Sequence, residues 1–280
     1  MNPRSEWVLK AFLSRRPSEE RRSLERFLPE DERLLLAQIP ELQSGDEFSH
    51  SLVLDDVHWS WFLPTLKSYS EKEQAVFLEA LSPAVAENLR RALQIETVAD
   101  PITDMAKSFL RSQLLHSLIG PNEGRLPPSF LPASPLNVLL TLSKKDLIRL
   151  IDLLPLPDLA AEMRQIVETK ILKKLYSFLS EEQKAAMKHL SSQREPLSSS
   201  RMGLERWDGA EESLRALLHR RGLARLGLAL SGQDPDLVWT LCHRLDIGRG
   251  NALFKLCAPE PVANATEAAQ RQIEELLPKL

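Results

Sequence analysis

The side chains best suited to chemistry stand close together near the end of the chain. Cys242 and Cys257 are the only cysteines, and His243 directly follows the first. A thiol beside an imidazole can serve as a nucleophile with its base, and cysteine with histidine can hold zinc. Neither chemistry fits the spacing. Asp234 and Pro235 form a helix start, since aspartate caps free N–H groups and proline has the φ of the first turn. From there Leu237, Val238, Leu241, Cys242 and Leu245 recur at helical spacing. Cys242 therefore belongs to an apolar stripe, and one residue of helix turns His243 about 100° away from it. Zinc needs about four ligands, and there is no Cys-x-x-Cys or His-x-x-x-His set. The expectation is a cysteine that fills a core as a small hydrophobe, with Cys257 read the same way.

Other catalytic patterns are missing from the sequence. "IGRGN" has two glycines but neither the Lys-Ser/Thr nor the preceding strand of a phosphate loop. No Gly-x-Ser-x-Gly elbow occurs. His50, His58, His116, His189 and His219 are scattered, and each is read as a surface or helix-end residue. The expectation is a protein without catalytic residues, cofactor or metal, and not an enzyme.

The elements that would carry these side chains are helical. Only 10 of 280 residues are glycine, while Leu, Ala, Glu, Arg and Lys dominate, which favours helices over a twisted parallel sheet. Hydrophobic residues make up 43% and charged residues 27%, the balance of a folded protein rather than a disordered one. A net charge of -3 implies no general pull toward nucleic acid. Arg15, Arg16, Arg21 and Arg22 stand beside Glu19, Glu20 and Glu25 and read as a salt-bridged, solvated face. Two cysteines make no disulfide framework, which points to a reducing compartment. "MNPRSEWVLKAFLSRR" lacks a secretory core, and no apolar run nears the roughly 20 residues of a membrane span. These features imply a cytoplasmic protein that reaches a membrane only through partners.

A helix-start pattern recurs: Ser or Pro, charged residues, an acid or amide three positions on, then an apolar stripe. It appears in "FLPEDERLLL", "SYSEKEQAVFL", "TLSKKDLIRLI" and "FLSEEQKAAM". Ser70 with Glu73, and Ser180 with Gln183, fit the capping box, while Pro29 suits a first helical position. "VHWSWF" alternates like a strand but has no clear partner strand, so it reads as a helix start packed by tryptophans. Trp59, Trp61, Trp207 and Trp239 are expected to anchor cores. Proline-rich and serine-rich stretches divide the chain into an N-terminal helical domain (1–120), a linker (121–135), a middle helical repeat (136–190), a second linker (191–203) and a C-terminal helical domain (204–280). Within the first domain, "SGDEFSHSLVLDD" makes a further break. The apolar stripe of Trp7, Val8, Ala11 and Phe12 either packs on its own domain or docks into a partner.

The helical pattern resembles the repeats of the flagellar rotor switch protein FliG. The resemblance lies in "SYSEKEQAVFLEALSPAVAENLRRAL", in "RFLPEDERLLLAQIPEL" with Ile39–Pro40 at its break, and in "TLSKKDLIRLIDLLPLPDLAAEMRQI" with Leu154–Pro155. The closest stretch, 207–256, looks like the C-terminal FliG domain, where a charged helix leads into an "ALSG" turn and two further helices. This resemblance implies an all-α protein of two or three stacked, armadillo-like helical domains. The family's Glu-His-Pro-Gln signature is absent, its nearest equivalent being "RRPSEE". Glu211 falls at an acidic family position, but Glu212 stands where the family is basic and Arg220 where it is acidic. Such sign changes would alter a surface that reads a stator's charges, so the resemblance implies a scaffold without torque.

By analogy between machines, such a scaffold suits the cytoplasmic base of a type III secretion apparatus, joining inner-membrane ring to sorting-platform proteins and assembling in a ring. The expected contact residues are Trp7, Val8 and Phe12 on the N-terminal stripe, and Glu211, Glu212, Arg215, Arg220 and Arg221 on the charged helix. The rival readings are a general helical scaffold or chaperone, a nucleic-acid-binding module built on the arginine-rich helices, and a hydrolase with an unrecognised site.

Overall fold

A computed structural model describes residues 3–14, 16–39, 54–119, 131–190 and 202–279. Among the described residues the chain is all-helical and contains no strand. It divides into two compact units, Met1–Ala133 and Ser134–Leu280. The stretches 136–190 and 204–280, separated by the serine-rich segment in the sequence, lie in the same unit. Most of the proline-rich and serine-rich segments, the 44–53 part of the break, Pro40 and Arg15 lie outside the described residues.

The first unit opens with α1 (Pro3–Ser14), α2 (Ser18–Glu25) and α3 (Glu30–Gln38). Pro29 stands one position before the first helical residue, as the N-cap of α3, rather than inside the helix. The Lys10 side chain is buried, and its Nζ donates to the Leu36 carbonyl at 2.9 Å. That carbonyl belongs to the last turn of α3, where the helix supplies no donor of its own, so the charge ties α1 to α3. Arg21 pairs with Glu25 one turn later at 2.9 Å on the solvated face of α2.

Residues Trp59–Trp61 form a 3-10 turn, followed by α4 (Leu63–Leu66), α5 (Glu71–Glu79), α6 (Pro83–Leu93) and α7 (Asp104–Ile119). "VHWSWF" is thus a helix start, with the His58 imidazole accepting from Ser60 N–H at its N-cap. Trp59 and Trp61 are half-buried, while Phe62, Leu66, Leu78, Leu89 and Leu114 are buried in the core. The Glu73 carboxylate accepts from the Ser70 backbone N–H at 2.8 Å and closes the capping box of α5. Arg111 of α7 reaches back to the Ala80 carbonyl at 3.0 Å and to Asp55 at 2.9 Å.

The second unit starts with a 3-10 segment, Pro135–Thr141. Then come α8 (Lys144–Leu153), α9 (Leu156–Met163), α10 (Thr169–Phe178) and α11 (Glu181–Leu190). After a short 3-10 turn at Leu204–Arg206 follow α12 (Glu211–Leu230), α13 (Pro235–Arg244), α14 (Ile247–Leu256) and α15 (Ala265–Leu276). Leu154–Pro155 makes the corner between α8 and α9. At the start of α11, Ser180 and Gln183 exchange side-chain-to-backbone bonds of 3.0 and 3.2 Å, a full capping box.

The 20-residue α12 is the axis of this unit, with α8, α14 and α15 packed around it. Gly222 lets α8 approach the axis closely: a Cβ there would stand 1.9 Å from the Ile151 carbonyl oxygen. Leu153, Leu156, Leu159, Leu175, Leu214 and Leu218 share one apolar cluster, so helices from both sides of the serine-rich segment close a single core. Gly232 ends the "ALSG" turn with φ 75°, a left-handed conformation that suits glycine, and donates to the Ala258 carbonyl at 3.0 Å. Among the described residues no helix is long and apolar enough to cross a membrane.

Candidate functional site

The polar residues of interest converge on α12 and α13. Asp234 caps α13 by accepting from Asp236 N–H at 2.8 Å, and Pro235 occupies the first turn. Cys242 is buried on the apolar stripe, as its spacing requires. The opposite face of the helix is buried as well: every residue from Asp236 to Arg244 is inside. Periodicity marks which face meets the core, but it carries no record of what covers the other.

His243 shows what burial demands of that second face. Its ring stacks on Trp239 with centroids 3.9 Å apart, and its Nδ1–H donates to the Trp239 carbonyl at 2.8 Å. The imidazole is thereby engaged one helical turn back along α13. Burial above all raises the Cys242 thiol well above the ordinary range, with a smaller contribution from nearby Cys257. Cys257, at the C-cap of α14, is pushed up by burial to about 11. Both remain thiols at neutral pH, poor as nucleophiles and as metal ligands.

Arg244 is also buried, and its guanidinium donates to the carbonyls of Leu139 at 3.2 Å, Leu140 at 2.7 Å and Leu142. It closes the end of the 3-10 segment, whose last carbonyls lack helical donors. Asp158 of α9 receives two arginines of α12. Arg221 Nε donates to Asp158 Oδ2 at 2.6 Å, and Arg225 forks onto both carboxylate oxygens. Asp158 and Arg225 are about 95% buried, so each charge is tolerated only because the other is present.

A third group lies nearer the surface. His219 of α12 stands between Asp152 of α8, 3.2 Å from Nδ1, and Arg249 of α14, whose Nε lies 2.9 Å from Nε2. Arg249 also pairs with Asp246 at 2.8 Å. His219 is therefore a joint between helices rather than a scattered surface histidine. Its partners are 67 and 30 positions away, so no local spacing could have announced it. The same holds for Asp158.

The expected contact residues fall into different surroundings. Val8 and Phe12 are exposed, with the Arg16 guanidinium 4.7 Å over the Phe12 ring; the Trp7 side chain lies outside the described residues. On α12, Glu211 and Arg215 pair with each other one turn apart, while Glu212 and Arg220 face solvent. Arg221 turns inward to Asp158 and is spent inside the unit. Trp239 is a core residue, whereas Trp207 is half-buried, edge-on to Phe178 and donating to the Ala210 carbonyl at 2.9 Å. Trp207 also borders a cleft of about 610 Å³ together with Ile166, Ile171 and Lys174. Among the described residues, no three His, Cys, Asp or Glu side chains are grouped to hold a metal ion. No family model, curated protein or solved structure matches this chain.

Proposed function

We propose that the protein is a non-catalytic helical adaptor of FliG-like, armadillo-type architecture. In this reading it joins inner-membrane ring proteins to sorting-platform proteins at the cytoplasmic base of a type III secretion or flagellar-like apparatus, and assembles there in a ring. The observation that supports an adaptor is the contrast in where side chains are engaged. Around α12 and α13, His219, Arg221, Arg225, His243 and Arg244 are tied to other side chains or to backbone carbonyls, and the Cys242 thiol is buried. On the N-terminal helices, and in the turn between α2 and α3, large apolar groups stand open: Val8 is 47% exposed, Phe12 46% and Leu34 63%, with Phe27 of the turn 84%. Apolar groups collected on short helices are what a partner's groove or helix face takes up. The place in a secretion apparatus draws on the FliG-like helix pattern, by analogy between machines.

Affinity purification of the full chain from cells carrying such an apparatus tests the proposal. Ring and platform proteins are expected to co-purify, and Val8→Asp with Phe12→Asp should reduce their recovery while leaving the helical content unchanged. A specific complex that contains neither class of protein overturns the secretion assignment and leaves a general scaffold. Unchanged recovery with the double variant removes the N-terminal stripe from the interface.

A further inference from the structure

The two contacts of His219 leave its imidazole a single arrangement. Arg249 Nε carries a hydrogen and has no lone pair to offer, so across 2.9 Å it donates to His219 Nε2. Nε2 is then without a proton, and the one ring N–H is at Nδ1, directed to Asp152 Oδ1 at 3.2 Å. In this arrangement the ring is neutral, and it links α8 to α14 across the axis helix. Arg249 in turn donates Nη1–H to Asp246 Oδ2 at 2.8 Å. The other oxygen of Asp246 accepts the backbone N–H groups of Gly248 and Arg249, each at 3.1 Å, and so caps α14.

We propose that His219 is a proton-operated latch: neutral, it holds Arg249 and the first turn of α14 against α12, and a proton at Nε2 releases them. The protonated ring would face Arg249 with a second N–H and a like charge, so the acceptor becomes a repelling donor. Asp152 accepts from Nδ1 in both forms of the ring. The His219 side chain is 24% exposed, which gives a proton access from solvent. The neighbouring charges are already committed. On α12, Arg215 pairs with Glu211 and Arg221 with Asp158, while Arg220 is exposed. Arg149 of α8 pairs with Glu182 of α11 at 2.6 Å. The charged residues of α15, namely Glu267, Arg271, Glu274 and Glu275, are exposed. The latch is therefore closed above the pH at which His219 takes up its proton and opens below it. The inference is independent of the adaptor reading.

The test is NMR of the full chain between about pH 8 and about pH 5, the range in which histidine titrates. At the upper end the ring nitrogens of His219 should report the Nδ1–H form. On acidification the amide signals of Gly248, Arg249 and Gly250 should move together with the His219 ring. In His219→Gln, whose amide keeps an oxygen acceptor for Arg249 but takes up no proton, that movement should be lost. An Nε2–H or doubly protonated ring at the upper end overturns the proposal on the unaltered protein alone. So do α14 amides that stay still on acidification, or that move equally in His219→Gln.

Discussion

At the scale of single residues, burial decides what each reactive-looking group can do. A thiol removed from water cannot readily become a thiolate, which is why Cys257 is pushed to about 11 and Cys242 moves further in the same direction. Thiol reagents at neutral pH should leave both cysteines of the folded protein largely unmodified and react fully once denaturant is added; rapid native labelling would show that one of them is solvent-accessible as thiolate. The sign of the pH effect follows. Between the ordinary thiol range and about 11, the unfolded chain gives up a proton that the folded chain keeps. Stability is thus full below that range and falls as the pH rises through it, and Cys257→Ser should flatten the decline measured in alkaline urea titrations. His243, Arg244 and Asp158 obey the same rule in another form: each buried side chain has found a partner, the guanidinium of Arg244 through its two terminal nitrogens.

At the scale of elements, the helix starts were legible because they are local. A capping box needs side chains only three positions apart, and Ser70 with Glu73 and Ser180 with Gln183 both form one. The crossings were not legible, since they depend on which backbone meets which. Gly222 reads in sequence as a weak point of a helix, worth about 1 kcal/mol against alanine. In the fold it is the place where α8 touches the axis. Gly222→Ala should therefore destabilise rather than stabilise, by about 3 kcal/mol, because a Cβ would overlap the Ile151 carbonyl. Urea denaturation measures this directly, and a gain in stability would mean that α8 and α12 stand farther apart. Val8 and Phe12 make the opposite case, since their exposure lets them be changed at little cost to α1.

At the scale of the whole molecule, the decisive feature is that the second unit closes one core from helices on both sides of a serine-rich segment. A fragment spanning 134–280 should accordingly unfold in a single cooperative transition when expressed alone, because its core is its own. A fragment ending at 190 should not, since Leu153, Leu156 and Leu175 would lose Leu214 and Leu218; circular dichroism with a urea titration separates the two outcomes. The sequence by itself determined the helical class, the capped starts, the Leu154–Pro155 corner and the burial of Cys242. All of these rest on residue type and on spacings of a few positions. Only the tertiary structure decided that α13 is covered on every face, that Arg221 turns inward to Asp158, and that His219 joins Asp152 to Arg249. Those partners lie tens of positions apart in the chain. A polar side chain reads as solvent-facing until the packing of distant helices removes the water and supplies a charge in its place.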